Sequence, residues 1–487
     1  MKHILSIVWL CALTLLGSVK AQADSKPVFR QFTYTDYAIA WKVSDNGQWA
    51  VLSGTTAEQK AQGRAKLVST AAPMVPIYLQ TEADENKNGK CDVADVTDDG
   101  NIVAGQYAGR PAYYNKQTNQ WTQLPVPTGW TGSGELVSVT PDGHYAIGNV
   151  RKPDDDYARQ GVMWDLTTNS IVTLEGLPKV IKQDADDKDQ LRFNDMSADG
   201  RYIIMEGAFS YNIQIYVYDR QKKSSFRLGY TLGNDGQYSP VNSSMQELSD
   251  PVISANGKYV AAMPWLGDTA EEEHVGTLLY NMETGQYQIF DEQEDRDIVP
   301  FVIDNDGNVL GATPGTTSPV RDWSVRVGKF WYPFSLITKQ AYGMDFYAKT
   351  DYDNTGSPFA ISADGKSVAV MVDPNGGGSY IVEMPDNFTT VCQRINLLGN
   401  YTVTPTEGAQ FAKIATVELL FDRDIKVKGA KNSVALKDAG GQTLRQSIGC
   451  AVSSKNSRTL TVSFRPTTLE AGKAYTVEIP AGCVALA

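Results

Sequence analysis

The sequence predicts an all-β protein: a seven-bladed β-propeller followed by a smaller β-sandwich. Three observations predict it. One short turn pattern returns seven times, two further strand signals follow most copies, and the rhythm changes after Pro385. Length agrees, because 487 residues exceed what one hydrophobic core usually serves. So does composition, since 10% aromatic residues and 42 glycines lean toward strands and turns.

The repeated pattern is an apolar residue, usually Ser or Thr, a variable residue, Asp or Asn, then Gly and an apolar strand. Its first copy is Val43-Ser44-Asp45-Asn46-Gly47, and the others are Val96–Gly100, Val139–Gly143, Met196–Gly200, Ile253–Gly257, Ile303–Gly307 and Ile361–Gly365. Asp or Asn can bond nearby backbone amides, and Gly takes a positive φ without a Cβ clash, so each copy predicts a hairpin. The strands that follow, such as Ile102-Val103-Ala104-Gly105 and Val368-Ala369-Val370-Met371, read as buried inner strands. Two more strand signals follow most copies, as in Val162–Asp165 and Ile171–Leu174, which makes four strands per unit. The turn glycines are 43 to 58 residues apart, a spacing that suits a four-stranded blade with one generous loop. A ring of such blades must close on itself, and Val28–Tyr34 is placed to supply the missing outer strand of the seventh.

This turn, strand and aromatic pattern resembles the repeats of bacterial WD-like and TolB-type propellers and the extracellular HAF repeats. The resemblance covers roughly residues 28–388.

After Pro385 short strands are divided by polar turns over about 90 residues, among them Val417–Asp422, Thr459–Phe464 and Ala474–Ile479. In size and rhythm this unit is Ig-like. Pro405 to Gly408, Leu419 to Asp422 and Leu469 to Val477 are similar to motifs of the SbsA-type bacterial Ig-like family, which implies a spacer or docking module. The domain organisation read from the sequence is therefore a signal peptide at 1–23, a propeller at 24–388 and an Ig-like sandwich at 396–487.

The leader assignment rests on Lys2 and His3, an apolar run from Ile4 to Val19, and Ala21-Gln22-Ala23. That run is shorter than the ~20 residues a membrane span needs, and the mature chain offers no longer one. The expected localisation is secreted or cell-surface in a bacterium, with envelope attachment open. Cleavage after Ala23 removes Lys2, Lys20 and no acidic residue, taking the net charge from −12 to −14, which argues against nucleic-acid partners. Cys91, Cys392, Cys450 and Cys483 would remain and allow three disulfide pairings, of which Cys450 with Cys483 is preferred.

Few residues suggest chemistry. The mature chain keeps His144 and His274 alone, and no nucleophile elbow, phosphate loop or paired-cysteine metal motif is present. No catalytic residue is assigned. The sharpest local motif runs from Asp84 to Asp95, where Asp84, Asn86, Asn88, Lys90, Asp92 and Asp95 fall at the positions of a calcium loop with Gly89 at position 6. It resembles an EF-hand or dockerin loop, with Asp in place of Glu at position 12. The same residues would serve equally as a polar connector between blades.

Propellers commonly bind partners on the face bearing the loops between second and third strands. Tyr107, Arg110, Arg151, Trp265, Arg321 and Trp323 fall there and are the candidate ligand contacts, although the two tryptophans would also serve as caps on blade ends. The functional expectation is a binding scaffold for a protein or glycan. The alternative is a carbohydrate-active hydrolase using carboxylates on the propeller face.

Overall fold

A computed structural model of the protein describes Ile4, Leu5 and residues 26–486, apart from 33–38, 54–64, 72–73, 80–90, 131, 152–158, 179–189, 208–212, 234–237, 268–273, 292–298, 313–322, 329, 345–356, 374–377, 396–400, 405–412, 422–424, 428–432, 471–472 and 480–482. The chain divides into two compact units, one comprising residues 24–394 and the other 395–487 with 1–23. The expected leader lies outside the described residues except for Ile4–Leu5, which pairs in parallel with Ala474–Tyr475.

Among the described residues the first unit contains seven four-stranded antiparallel sheets. Their first strands are Ile39–Val43, Cys91–Val96, Gly134–Val139, Arg192–Met196, Met245–Ile253, Val299–Ile303 and Ser357–Ile361. These strands touch in cyclic order, and that of sheet seven touches that of sheet one, so the sheets form the ring of a β-propeller. In every sheet the first strand precedes the repeated turn. The apolar strands after the turns are buried as expected but stand second in their sheets, one step out from the axis.

The turn explains its own sequence. In sheet one the Gly47 amide donates to the Ser44 carbonyl at 2.8 Å. The Trp49 amide donates to Ser44 Oγ at 3.1 Å, and Ser44 Oγ donates to Asn46 Oδ1 at 2.9 Å. The Gln48 amide also donates to Asn46 Oδ1. Ser and Asn thus satisfy the backbone groups that a tight turn strands, and Gly47 takes φ +72°. Gly is required twice over, since a Cβ on Gly100 would sit 2.5 Å from the Trp49 ring of the preceding sheet.

The turns also tie neighbouring sheets together. Amides of Asp98, Ala198, Asn305 and Ala363 donate to the carbonyls of Pro141, Ala255, Ala363 and Asp45, one sheet further round. Asn46 bonds Asp98, and Asn256 bonds Asn305, through backbone and side-chain amides alike. Between sheets three and four the equivalent donor is missing, because Pro141 has no N–H. Asn149 joins that pair instead: its side-chain amide donates to the Phe193 carbonyl at 2.9 Å and accepts from the Phe193 amide at 2.8 Å, both buried.

Closure uses the segment expected from the sequence. Val28–Phe32 pairs with Gly378–Glu383 as the fourth strand of sheet seven, with Val28 opposite Glu383 and Phe32 opposite Ser379. Arg30 meets Glu383 at 2.6 Å, and Phe32 is buried. The unit continues past Phe388 through a short helix, Phe388–Cys392, whose Thr389 bonds Asn308 and Asp306 of sheet six.

The second unit has one sheet ordered Tyr401–Thr404, Lys413–Phe421, Asn456–Thr468, Gly449–Ser453. A second sheet contains Ala474–Glu478, Ala435–Asp438 and Thr443–Gln446, and Ile425–Val427 pairs with Val484–Leu486. Alternate residues Val417, Leu419, Phe421, Leu460, Val462, Phe464, Tyr475 and Val477 point inward and form one core. Cys450 and Cys483 lie against that core with sulfurs 3.9 Å apart, while Cys91 and Cys392 are buried in the first unit.

Candidate functional site

The innermost strands share an irregularity that decides what faces the axis. Each slips register near its middle, between Ala40 and Lys42, Val93 and Asp95, Leu136 and Ser138, Phe193 and Asp195, Ser249 and Val252, Pro300 and Val302, and Pro358 and Ala360. A bulge of this kind bends the strand and re-aims its side chains. It opens a cavity of about 220 Å³ lined by all seven sheets.

The lining is divided. Sheets one to four contribute Lys42, Asp45, Asp95, Ser138, Asn194 and Asp195, whereas sheets five to seven contribute mainly apolar residues, including Val252, Phe301, Val302 and Phe359. Trp41 stands edge-on to Phe359 at 5.4 Å, and Phe301 stacks on Phe359 at 6.1 Å. One arc of the wall is therefore polar and charged, and the opposite arc is apolar with Phe301 and Phe359 as its aromatic rings.

Within the charged arc Lys42 Nζ lies 4.0 Å from Asp195 Oδ1. Asp195 holds the lysine well above its ordinary value against the opposing effect of burial. Asp95 accepts from the amides of Val96 at 2.8 Å and Val139 at 2.9 Å and from Ser138 Oγ at 3.1 Å, tying sheet two to sheet three. Burial nevertheless raises its carboxyl, outweighing the nearby Lys42 charge and the two amides. Asp45, in the first repeated turn, is pushed up to about 7 by burial, with the Asp95 charge adding to the effect. Three carboxyl groups thus surround one ammonium in a partly open pocket, an arrangement suited to a cationic group beside aromatic rings.

Sequence reading found Asp95 for a different reason and missed Lys42, Asp45 and Asp195. A signal was present: aligned on the turn glycine, the seven copies place Lys42, Asp95, Ser138 and Asp195 in one column, where the other three have Val252, Val302 and Ala360. Variation in an otherwise uniform repeat marked the lining.

The expected ligand contacts fall at the other end of the ring, because in an antiparallel sheet the second-to-third connection is opposite the first turn. Tyr107 and Arg110 face each other across the Ala108-Gly109 turn, and Tyr107 stacks on Trp121 at 5.6 Å. Arg151 ends the second strand of sheet three opposite Arg159, and Trp265 lies near the end of its counterpart in sheet five, opposite Val275. Arg321 lies outside the described residues. Trp323 is not a surface contact: it is fully buried, stacks on Phe334 at 4.0 Å, meets Phe388 edge-on and donates from Nε1 to Tyr380 Oη at 3.0 Å. It holds sheet six to sheet seven, and its N–H has the hydrogen-bond partner that a buried indole needs.

Of the calcium-loop residues, Asp84, Asn86, Asn88 and Lys90 lie outside the described residues. Asp92 and Asp95 are in the first strand of sheet two, where Asp92 accepts from Ser53 Oγ at 2.8 Å and Asp95 makes the bonds given above. Among the described residues no group of three or more His, Cys, Asp or Glu side chains is disposed to hold a metal ion. Among the same residues no helix is long and apolar enough to cross a membrane.

Residues 401–487 match the bacterial Ig-like domain family. None of the curated proteins compared with the chain matches its sequence. Among solved structures, TolB from Acinetobacter baumannii is 14% identical with a TM-score of 0.35, over 71% of this chain and 65% of that one, so the chain spans less than two thirds of TolB. The oligogalacturonate lyase of Vibrio parahaemolyticus is 11% identical with a TM-score of 0.44, over 74% and 97% of the two chains. The propeller domain of the Pyrococcus furiosus Trilobed protease is 10% identical with a TM-score of 0.37, over 62% and 84%.

Proposed function

We propose that the chain is a bacterial extracytoplasmic interaction protein whose ring receives a cationic side chain of a protein partner in the cavity at its axis, with the Ig-like unit as spacer or docking module. One observation carries this reading: Asp45, Asp95 and Asp195 surround a single ammonium, Lys42, in a cavity whose opposite, apolar wall includes Phe301 and Phe359. Burial strengthens the attraction, since unlike charges interact several-fold more strongly near a protein interior than in bulk water.

Binding of lysine- and arginine-bearing peptides, measured by calorimetry against neutral peptides of equal length, tests it. Asp45→Asn and Asp195→Asn should each weaken a basic peptide about tenfold. Binding that survives both changes but falls with Tyr107→Ala or Arg110→Ala would move the site to the opposite end of the ring.

A second reading, a carbohydrate-active hydrolase, draws on Asp45, whose raised carboxyl is suited to donate a proton near neutral pH. Turnover of aryl-glycosides or glycans that disappears in Asp45→Asn would replace the binding reading. For the calcium loop, Asp95 is committed inside the ring, so a cation there would draw its ligands from residues 84–92. Calorimetry with Ca²⁺ on wild type and Asp84→Ala is the measurement.

A further inference from the structure

Cys450 is the second residue of the strand Gly449–Ser453, opposite Val462, at the edge of its sheet. Cys483 directly precedes Val484–Leu486, which pairs with Ile425–Val427 rather than with that sheet. Their sulfurs are 3.9 Å apart although 33 residues separate them in the chain. Cys483 is buried in the core and Cys450 is partly exposed against it. A disulfide needs about 2.05 Å between sulfurs, and side-chain torsion at two facing cysteines covers the difference.

We propose that Cys450 and Cys483 form a disulfide that fastens the edge strand of the Ig-like unit to the strand Val484–Leu486, with a small-molecule or protein disulfide as oxidant. The more exposed Cys450 thiolate attacks one sulfur of the oxidant, forming a mixed disulfide and expelling a thiolate. The Cys483 thiolate then attacks Cys450 Sγ and expels the second thiolate. The two cysteine thiol protons end on the expelled thiolates, so the electron pair reduces the oxidant disulfide to two thiols.

Burial and the neighbouring sulfur push the Cys450 thiol up to about 12 once the unit is packed. Thiolate is scarce there, so closure belongs to the stage before packing is complete. Of the three pairings open in the sequence, this one alone joins cysteines of the Ig-like unit, since Cys91 and Cys392 belong to the other compact unit.

The full chain, refolded with oxidised and reduced glutathione, is denatured, alkylated without reduction, digested and analysed by mass spectrometry. The expected result is a Cys450–Cys483 cross-linked peptide two hydrogens lighter than the sum of its two halves, with Cys91 and Cys392 alkylated. Reduction should raise labelling of the pair roughly tenfold or more and lower the melting temperature. In Cys450→Ser the cross-link should vanish, Cys483 should be alkylated, and reduction should no longer shift the melting temperature. Full alkylation of both residues in the oxidised wild type, or a cross-link from either to Cys91 or Cys392, would overturn the assignment; neither needs a variant to fold.

Discussion

The two ends of the ring are built on different principles. At one end every connection from first to second strand is the same short turn, and most of these turns are hydrogen-bonded to the next sheet. At the other, the connections differ in length and composition from sheet to sheet, and the candidate surface contacts Tyr107, Arg110, Arg151 and Trp265 are found there. The uniform end fixes the angle between sheets. The diverse end is free to vary because little of the architecture depends on it.

Removing the closing strand should do the most damage. Deleting residues 24–35 leaves the outer edge of the third strand of sheet seven unpaired, and the expected loss is comparable with a domain's whole stability of about 5–15 kcal/mol. An unchanged melting curve would show that closure is not what holds the ring. Next comes a pair of glycines, one from each end. Gly100→Ala meets a φ of +65° and the Trp49 ring, and should cost about 3–4 kcal/mol. Gly109→Ala meets a φ of +75° but no atom within 4 Å, and should cost about 1 kcal/mol. Equal losses by chemical denaturation would erase the contrast between the ends.

The junction between sheets three and four sharpens it further. Asn149→Leu strands the Phe193 backbone groups where no turn bond substitutes, and should cost about 2–3 kcal/mol in urea unfolding. Sheet six offers a pH test, since Asp304 stands where the other copies have Ser or Thr. Its buried carboxylate accepts from the Asp306 and Asn308 amides, yet burial pushes it up to about 6. A folded value above the ordinary 3.8 means that the native state binds the proton more tightly. Its contribution is therefore fully present below about pH 4 and is lost as pH rises through about 6, on the order of 3 kcal/mol in all. Asp304→Ser should flatten stability over that window, and an unaltered pH profile would refute the assignment. The smallest effect is expected at the diverse end, where Arg110→Ala should change stability by under about 0.5 kcal/mol.

The sequence announced the uniform end because turn chemistry is local. Ser44, Asn46 and Gly47 bond one another and their immediate neighbours, so five residues suffice to predict the hairpin, and seven copies suffice to predict the ring. The closing strand Val28–Phe32 was legible by the same logic, from an edge that had to be covered. What faces the axis was not legible, because it depends on a bulge in each innermost strand and on which sheets become neighbours. A bulge has no residue signature here: Trp41, Ala94, Val137, Asn194 and Phe301 all occupy it. Trp323 misled for the converse reason. Its polar neighbours Arg321 and Asp322 suggested a loop, while the cover it receives from Phe334 and Phe388 arrives from later in the chain.

Pairing Val28 with Glu383 has a mechanical meaning. Tension applied where the chain enters and leaves this sheet pulls on adjacent ends of two antiparallel strands, so their bonds break in succession, from Val28–Glu383 toward Phe32–Ser379, instead of yielding together in shear. A tether anchored through the Ig-like unit and hauled from its other end would give way first at this zipper, leaving six complete sheets and a three-stranded seventh behind it.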